Sequence, residues 1–360
     1  MLVTQYLNAR LNLKSESLHQ IITLLSSIDS IKSSWQSNHS LNPSVISEMR
    51  RNNIVTSAAS SNRIENIVLT DSEVSKLLTT NKKDNFKRNE AEVVGYIEVL
   101  NLIFEDFQSI EINSGNILNL HNQLLKYSDP GRRYRGRYKL MDNEIALASQ
   151  SGEIIGTLFK PTSMELVNSE IQELLDWLAA QNREARVHPL ILTAVFILEF
   201  LAIHPFDDGN GRISRVLSVL MLLQNGYDFA KYTSHEKVIE KTRDGYYLTL
   251  RTSQKNWRTE QEDTSDWIIY FLETILAQAK EGLKLLNPKT LDSDFEVNLS
   301  PKQQLIWAVA IELRDFGRRD VELRTKLPIA TINQGLNKLL GLRKIERVGL
   351  GSGVRYRIKS

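Results

Sequence analysis

The sequence predicts a mainly α-helical protein with one β-hairpin and a smaller C-terminal domain of helices and strands. Apolar residues at helical spacing, such as Val93, Ile97 and Leu100, indicate the helices. Glycine and proline instead punctuate residues 129–162, where two short apolar stretches are typical of strands. After a polar, turn-rich segment near residue 290, three helical patterns precede two alternating stretches, which indicates a second domain.

The composition is that of a soluble globular protein. With 360 residues, of which 41% are hydrophobic, the chain can bury a sizeable core and form more than one domain. No apolar run reaches the roughly 20 residues of a membrane span and the N-terminus lacks a signal-peptide pattern, so we expect a cytoplasmic protein. The absence of cysteine excludes disulfides, thiolate metal sites and cysteine nucleophiles.

The segments before the hairpin are predicted to be packing helices. Residues 1–50 form an N-terminal helical segment, in which apolar positions from Ile21 to Ile31 predict a helix and Ser37–Pro43 predicts a loop. Asn85–Phe107 and Ile117–Leu125 predict further core helices.

The hairpin is predicted from two strand-like stretches, Glu144–Ala148 and Ile154–Phe159, which are separated by Ser149–Glu153. An exposed strand edge can bind an extended segment of another protein through main-chain hydrogen bonds. The alternative is a surface hairpin without a partner.

The densest group of chemically active residues runs from His204 to Arg215, His-Pro-Phe-Asp-Asp-Gly-Asn-Gly-Arg-Ile-Ser-Arg. The apolar run Pro189–Ile203 predicts a buried helix that ends at the histidine, because Pro205 disfavours helical geometry there. Ile213–Leu223 predicts a second helix, whose positive N-terminal end faces the intervening loop. We therefore expect a polyphosphate site.

The residues of this loop suit phosphate. Gly209 and Gly211 carry no Cβ, so their N–H groups can approach an anion closely. Arg212 and Arg215 are three positions apart on the first turn of the second helix, so they can bind two phosphate groups at once.

Two further side chains suit chemistry on bound phosphates. Asp208 is an oxygen ligand of the kind that holds Mg²⁺ together with substrate oxygens. His204, with an ordinary pKa of about 6.5, can accept a proton near neutral pH.

The stretch is identified by its resemblance to the signature of the Fic family, H-P-F-x-[DE]-G-N-G-R-x-x-R, which it matches at every fixed position. The resemblance implies a protein adenylyltransferase, which moves AMP from ATP to Ser, Thr or Tyr hydroxyls of a protein, including itself. Asp207 falls at the variable position and is given no role. The roles that the resemblance implies are general base for His204, Mg²⁺ ligand for Asp208, phosphate cradle for Asn210 with the N–H groups of Gly209 to Arg212, and β/γ-phosphate binding for Arg212 and Arg215.

A second short motif precedes the catalytic stretch. Taken alone, Ser57–Asn66 predicts a short helix with a serine N-cap and an exposed glutamate. Ser61-Asn-Arg-Ile-Glu65-Asn66 resembles the family's inhibitory motif, [ST]-x-x-x-E-[GN], on a helix near residues 57–68. The resemblance implies autoinhibition, in which Glu65 pairs with Arg215 and takes the space of the γ-phosphate. In the alternative of an AMP-removing hydrolase, Glu65 would position water.

The resemblance implies three further roles. Tyr247, within Arg243–Leu250, would line the adenosine pocket, although a core tyrosine would give the same pattern. The hairpin, residues 144–159, would be a flap that holds a target protein with its hydroxyl near His204. His121 resembles a structural histidine of the family and is expected to pack.

The C-terminal part is predicted to be a winged-helix domain, residues 300–360, joined by a linker at 286–299 to a catalytic domain at 51–285. It carries 13 Lys and Arg against 5 Asp and Glu, so its net charge is +8 although the whole chain is +2. DNA binding, with the Fic site as a nucleotide sensor, and protein docking or homodimer formation are both compatible with such a domain. The helices are expected at Pro301–Phe316, Asp320–Leu327 and Ile329–Leu340, and two strands within Lys344–Ile358. The third helix is expected to expose Thr331, Asn333, Gln334, Asn337 and Lys338, which can contact bases or phosphates.

Overall fold

The chain forms two compact units, Met1–Leu286 and Asn287–Ser360. The computed structural model describes residues 3–37, 43–79, 86–128, 133–148, 154–286, 299–342, 344–349 and 354–358. None of the helices in these ranges is long and apolar enough to span a membrane.

The first unit is built almost entirely of helices. In chain order they are α1 (Val3–Ala9), α2 (Ser15–Ser37), α3 (Pro43–Ile64), α4 (Asp71–Thr79), α5 (Arg88–Asp106), α6 (Ser114–Leu124), α7 (Met164–Glu184), α8 (Pro189–Ile203), α9 (Asn210–Gln224), α10 (His235–Lys241), α11 (Arg243–Gln254) and α12 (Ser265–Leu285). A short 3₁₀ helix, Asp228–Lys231, follows α9.

Helix α8 lies at the centre of this unit. Every residue from Leu190 to Ile203 is buried, including the acidic Glu199. A helix that is apolar on all faces must be covered on all sides, and α7, α9 and α12 pack against it. The chain therefore reaches His204 from a helix that is buried on all sides.

The N-terminal helices belong to the same core. Helix α1 packs on α7 and α2 packs on α12. Leu7, Ile21 and Ile28 are fully buried, and each such side chain contributes roughly 1.5–3 kcal/mol of hydrophobic free energy. Residues 3–37 are thus part of the first unit rather than an appendage to it.

The hairpin consists of β1 (Ile145–Ala148) and β2 (Ile154–Phe159), paired antiparallel. Ile145 lies opposite Phe159 at its base, and the Phe159 ring packs edge-on against Trp257. The predicted strands are confirmed to within one residue. The turn expected at Ser149–Glu153 lies outside the described residues.

The second unit contains α13 (Pro301–Leu313), α14 (Arg318–Thr325), α15 (Ile329–Gly341) and an antiparallel sheet. The sheet has the order β3-β5-β4, from β3 (Asp315–Gly317), β4 (Ile345–Val348) and β5 (Arg355–Ile358). The helix expected to reach Phe316 ends at Leu313, because Arg314 has a positive φ of 56° and the next three residues pair with β5. Residues 287–298 of the expected linker lie outside the described ranges.

Candidate nucleotide site

The site begins where α8 ends. His204 is the residue after the helix and has a left-handed backbone conformation, with φ 52° and ψ 63°, and Pro205 follows it. The predicted end of the helix at this histidine is confirmed. The side chain of His204 is half-buried.

The loop after His204 is held by the side chain of Asn210. Its Oδ1 accepts from the N–H of Phe206 at 2.9 Å, and its Nδ2 donates to the carbonyl of Phe206 at 2.8 Å. Helix α9 starts at Asn210, after Gly209 at φ 87°, where a side chain would be strained. The side-chain amide of Asn210 thus holds the loop, and its backbone N–H is left to contribute to the expected phosphate cradle.

His121 ties this loop to α6, as expected of a packing residue. Its Nδ1 accepts from the N–H of Gly136 at 3.0 Å, so the ring proton is on Nε2, which donates to the carbonyl of Asp208 at 3.0 Å. The ring stacks on Phe206 with centroids 3.8 Å apart. Burial lowers the pKa of His121 to about 4, so the ring is neutral at neutral pH.

Arg212 is buried between two carboxylates. Its Nη1 donates to Glu92 on α5 at 2.5 Å, and its Nη2 donates to both carboxylate oxygens of Asp208 at 3.0 Å. Glu92 is a residue that the sequence analysis missed, although an acid inside an otherwise apolar helix is a signal for a buried partner. Asp208 keeps a side chain that is 48% exposed.

Arg215 is buried against the end of α3. Its Nε donates to Ser61 Oγ at 2.8 Å, and its Nη2 donates to Glu65 Oε1 at 2.8 Å and to the carbonyl of Ser61 at 3.1 Å. Ser61 and Glu65 are four positions apart, so one face of the chain presents both to the same guanidinium. The structure therefore brings the two sequence motifs into direct contact.

The carboxylate of Glu65 lies against the first turn of α9. A Cβ added to Gly211 would collide with Oε1 of Glu65 and would lie 3.3 Å from Nη1 of Arg215. The unpaired N–H groups of a helix start attract anions, and Arg215 adds a full positive charge. Nη1 of Arg215 and Nε of Arg212 are buried without a hydrogen-bond partner among the described residues.

Lys139 lies near His204 and was also missed by the sequence analysis. Its N–H donates to the carbonyl of Pro205 at 2.8 Å, and its Nζ donates to Asn143 Oδ1 at 2.7 Å. Asn143 in turn donates to the carbonyl of Phe206 at 3.3 Å, so the chain before the hairpin is fastened to the loop after the histidine. Burial, together with the charge of Lys139, lowers the pKa of His204 to about 4.

A family model described as the Fic/DOC family matches residues 111–222, which contain the loop, α8 and all but the last two residues of α9. Residues 111–222 thus resemble a Fic domain. It is 27% identical over 143 residues to the protein adenylyltransferase Fic-1 of Caenorhabditis elegans, covering 39% of this chain and 25% of that protein. It is 32% identical over 112 residues to a probable protein adenylyltransferase of Aquifex aeolicus, covering 31% and 34%. The chain thus spans about a quarter to a third of the length of these relatives.

Solved structures show the same fold. A Fic family protein from Desulfovibrio desulfuricans G20 superposes with a TM-score of 0.61 at 22% identity, covering 95% of this chain and 96% of that one. Residues 134–508 of Fic-1 from Caenorhabditis elegans give a TM-score of 0.58 at 20% identity, covering 74% and 72%. The prediction of a mainly α-helical Fic fold with a hairpin is confirmed.

Around the Fic loop, Tyr247 lies beside the end of α3 rather than inside the core. Its ring is 39% exposed and its hydroxyl donates to the carbonyl of Ile64 at 3.3 Å. Arg243 lies over this ring at 5.6 Å and donates to Asn66 Oδ1 at 2.8 Å. Part of Tyr247 is thus open to solvent, and its role as a lining of the adenosine pocket stays a prediction.

Asp208, in the loop between α8 and α9, has a carboxylate that is open to a metal ion. Its side chain is half exposed, and Arg212 with the N–H of Gly209 leave one lone pair of Oδ2 unused. Within the described ranges, no three His, Asp or Glu side chains are grouped closely enough to hold a metal ion by themselves.

Proposed function

We propose that this Fic protein is a protein adenylyltransferase that transfers AMP from ATP to a protein hydroxyl, and that Glu65 autoinhibits it. The observation that carries the proposal is the position of the Glu65 carboxylate, against Gly211 and bonded to Arg215. A phosphate oxygen seeks the same helix start and the same guanidinium. Since the two anions cannot share one place, ATP must displace Glu65 to bind productively.

The proposal of a phosphate cradle is supported by hydrogen-bond donors that an anion would satisfy. The first N–H groups of α9, from Asn210 to Arg212, have no acceptor within their own helix. Nη1 of Arg215 and Nε of Arg212 are buried and unpartnered among the described residues, which is costly without a ligand. Phosphate oxygens would satisfy these donors.

Arg212 contributes to the proposed nucleotide site mainly through the two carboxylates that it contacts. Glu92 and Asp208 fix its guanidinium, so it lends positive charge to the cradle and orients the Asp208 carboxylate. Asp208 is the residue that would hold Mg²⁺ beside the bound nucleotide. When bound there, the ion would neutralise charge on the phosphate oxygens.

His204 is the proposed general base. With a pKa of about 4 its ring is neutral at neutral pH and can accept a proton from the target hydroxyl. The negative charge of bound ATP would raise this pKa and make the ring a stronger base. As the proton moves to His204, the hydroxyl oxygen bonds to the α-phosphorus, and the bond to pyrophosphate breaks. The N–H groups of α9 and Arg215 stabilise the departing charge.

The target protein is proposed to dock on the hairpin. A two-stranded sheet leaves a free edge on each strand, and β1 and β2 are the two strands here. An extended target segment can add to such an edge by main-chain hydrogen bonds and bring its hydroxyl toward His204. Lys139 and Asn143 would keep the hairpin base at a fixed place relative to that histidine.

The proposal is tested by incubating the wild type and Glu65→Gly with α-labelled ATP and Mg²⁺, followed by intact mass. We expect added AMP on the variant, little on the wild type and none on Glu65→Gly with His204→Ala. A variant that binds ATP but never carries label contradicts transferase activity. Removal of AMP from a labelled protein by the wild type, lost in Glu65→Gly, would support the hydrolase instead.

A second candidate function rests on the second unit. Its helices and three-stranded sheet fit a winged helix, and α15 exposes Gln334, Asn337 and Lys338. With a net charge of +8 over residues 300–360, we propose that this unit binds DNA. Retention of the full-length chain on a DNA duplex at low salt, and its loss at high salt, would support this. Failure to bind any duplex at low salt would refute it.

A further inference from the structure

Glu65 is not part of a regular helix. Helix α3 ends at Ile64, and Glu65 and Asn66 form a tight turn in which Asn66 has a φ of 63°. The turn is closed by the N–H of Ile67, which donates to the carbonyl of Asn62 at 2.9 Å. Because no helical turn follows Glu65, the contacts of its neighbours must decide where its carboxylate lies.

Arg63, two positions before Glu65, makes the densest set of these contacts. It donates to both oxygens of Glu240 on α10, from Nε at 2.6 Å and from Nη2 at 3.0 Å. Its Nη1 donates to the carbonyl of Leu69 and to Asp71, both at 2.9 Å. One guanidinium thus joins the end of α3, the segment after the turn, the start of α4 and α10.

The Arg63–Glu240 pair has the geometry of a strong contact. The two hydrogen bonds are parallel and charge-assisted, and the side chains are only 25% and 27% exposed. Burial alone would raise the pKa of Glu240, yet the hydrogen bonds and charge of Arg63 bring that pKa below its usual value. The pair is therefore better protected from solvent than an ordinary surface ion pair.

The same side of the turn is held at two further points. Arg243 donates to Asn66 Oδ1 at 2.8 Å, and the Tyr247 hydroxyl donates to the carbonyl of Ile64 at 3.3 Å. Both residues lie on α11, which follows α10 directly. Helices α10 and α11 thus hold the turn on one side, while Glu65 reaches Arg215 on α9 from the other.

We propose that Arg63 and Glu240 are positioning residues, which hold the turn so that the Glu65 carboxylate stays in the phosphate cradle. The inference rests on the proposed inhibitory role of Glu65. Loss of this pair frees the backbone of the turn, and ATP then displaces Glu65 more easily. The strength of autoinhibition is set by a contact that touches neither nucleotide nor target.

The test compares Arg63→Gln and Glu240→Gln in two backgrounds, with Glu65 and with Glu65→Gly. Binding of the α,β-methylene analogue of ATP is measured by calorimetry, and self-labelling by α-labelled ATP. With Glu65 present, we expect each substitution to raise the affinity about tenfold, or about 1.4 kcal/mol, and to raise the labelling rate. In the Glu65→Gly background, neither quantity should change by more than about twofold, because the group being positioned is gone.

Arg50→Gln is the matched control. Arg50 lies on the same helix and forms a half-exposed ion pair with Glu105 at 3.4 Å, far from the turn. It should leave affinity and labelling unchanged in both backgrounds. Thermal unfolding shows whether each variant is folded. Arg63 and Glu240 lie on different helices, so if one variant does not fold, the other still tests the proposal.

Equal effects in both backgrounds, or no effect with Glu65 present, would overturn the positioning role. The failure of the proposed function has a different signature. If Glu65→Gly carries no label but the analogue binds more tightly to Arg63→Gln, the positioning role is supported and the proposed transferase activity is contradicted. If Glu65→Gly is strongly labelled and the substitutions of Arg63 and Glu240 change neither affinity nor labelling, transferase activity is supported and the positioning role is contradicted.

Discussion

The arginines of the nucleotide site and those of the second unit are held in opposite ways. The side chains of Arg212 and Arg215 are each 3% exposed and are bonded to acids on other elements. Arg355 and Arg357 are 52% and 55% exposed, and both pair with Asp315 on the neighbouring strand. A buried guanidinium must have an anion beside it, whereas an exposed one is already satisfied by water.

This difference in burial affects how far the function of each region can be inferred from its charged residues. In the first unit, acids lie beside the buried arginines, and we propose that Glu65 lies where a phosphate would bind. In the second unit, a net charge of +8 over residues 300–360 does not by itself select between nucleic acid and acidic protein as a partner.

The largest effect is expected for His204, the proposed general base. In the Glu65→Gly background, His204→Ala should lower the transfer rate about 10²- to 10⁴-fold, because proton removal from the target hydroxyl is lost. Affinity for the α,β-methylene analogue should stay within about twofold. Single-turnover labelling and calorimetry measure the two quantities. His204→Asn, which tolerates the left-handed backbone, should lose as much; transfer retained by either variant would refute the base assignment.

The next effect concerns the acids that hold the buried arginines. Glu92→Gln leaves the charge of Arg212 buried with one partner fewer, and should lower the free energy of unfolding by about 3–5 kcal/mol. Glu98→Gln, on the same helix, removes an exposed partner of Lys126 and should cost about 0–1 kcal/mol. Denaturant unfolding measures both. Similar losses in the free energy of unfolding for the two variants would contradict the difference between buried and exposed ion pairs.

A smaller effect is expected on the pH dependence of transfer. Because the pKa of free His204 is about 4, kcat/KM in the Glu65→Gly background should stay level as the pH falls from 7 to 5. Lys139→Met removes a positive charge that opposes protonation of His204. The pKa therefore rises and the acid limb moves to higher pH. Lys160→Met, at an exposed position, should not move it; an acid limb near pH 6.5 in the parent would contradict the lowered pKa of His204.

The smallest effect is expected in the second unit. If its exposed charges bind DNA phosphates, Lys338→Ala should lower the salt slope of duplex binding by about one and weaken all sequences alike. Lys302→Ala, exposed on α13, should leave the slope unchanged. Fluorescence anisotropy over a range of salt concentrations measures this. A slope that is the same in both variants and the wild type would exclude α15 as the DNA-binding face.

The local parts of the site could be predicted from the sequence. The end of α8 at His204 follows from Pro205, and the strand bounds follow from glycines and prolines, because these residues act on their own backbone. The pairing of Glu65 with Arg215 was implied by the resemblance to the inhibitory motif, and Nη2 of Arg215 donates to Glu65 Oε1 at 2.8 Å.

The parts that depend on distant chain segments could not be predicted. Glu92 meets Arg212 across 120 positions, and no local pattern specifies that pair. Lys139 lies near His204 because its N–H bonds to Pro205. The strand Asp315–Gly317 exists because β5, 40 positions later, pairs with it, and so it was taken for the end of a helix.

We propose that the Glu65 carboxylate holds the place of a phosphate distant from the α-phosphate. Calorimetric affinities of the wild type and Glu65→Gly for ATP and for AMP test it most directly. The account predicts that the substitution tightens ATP binding about tenfold or more and changes AMP binding by less than about twofold. An equal gain for both nucleotides, or no gain for ATP, would contradict it.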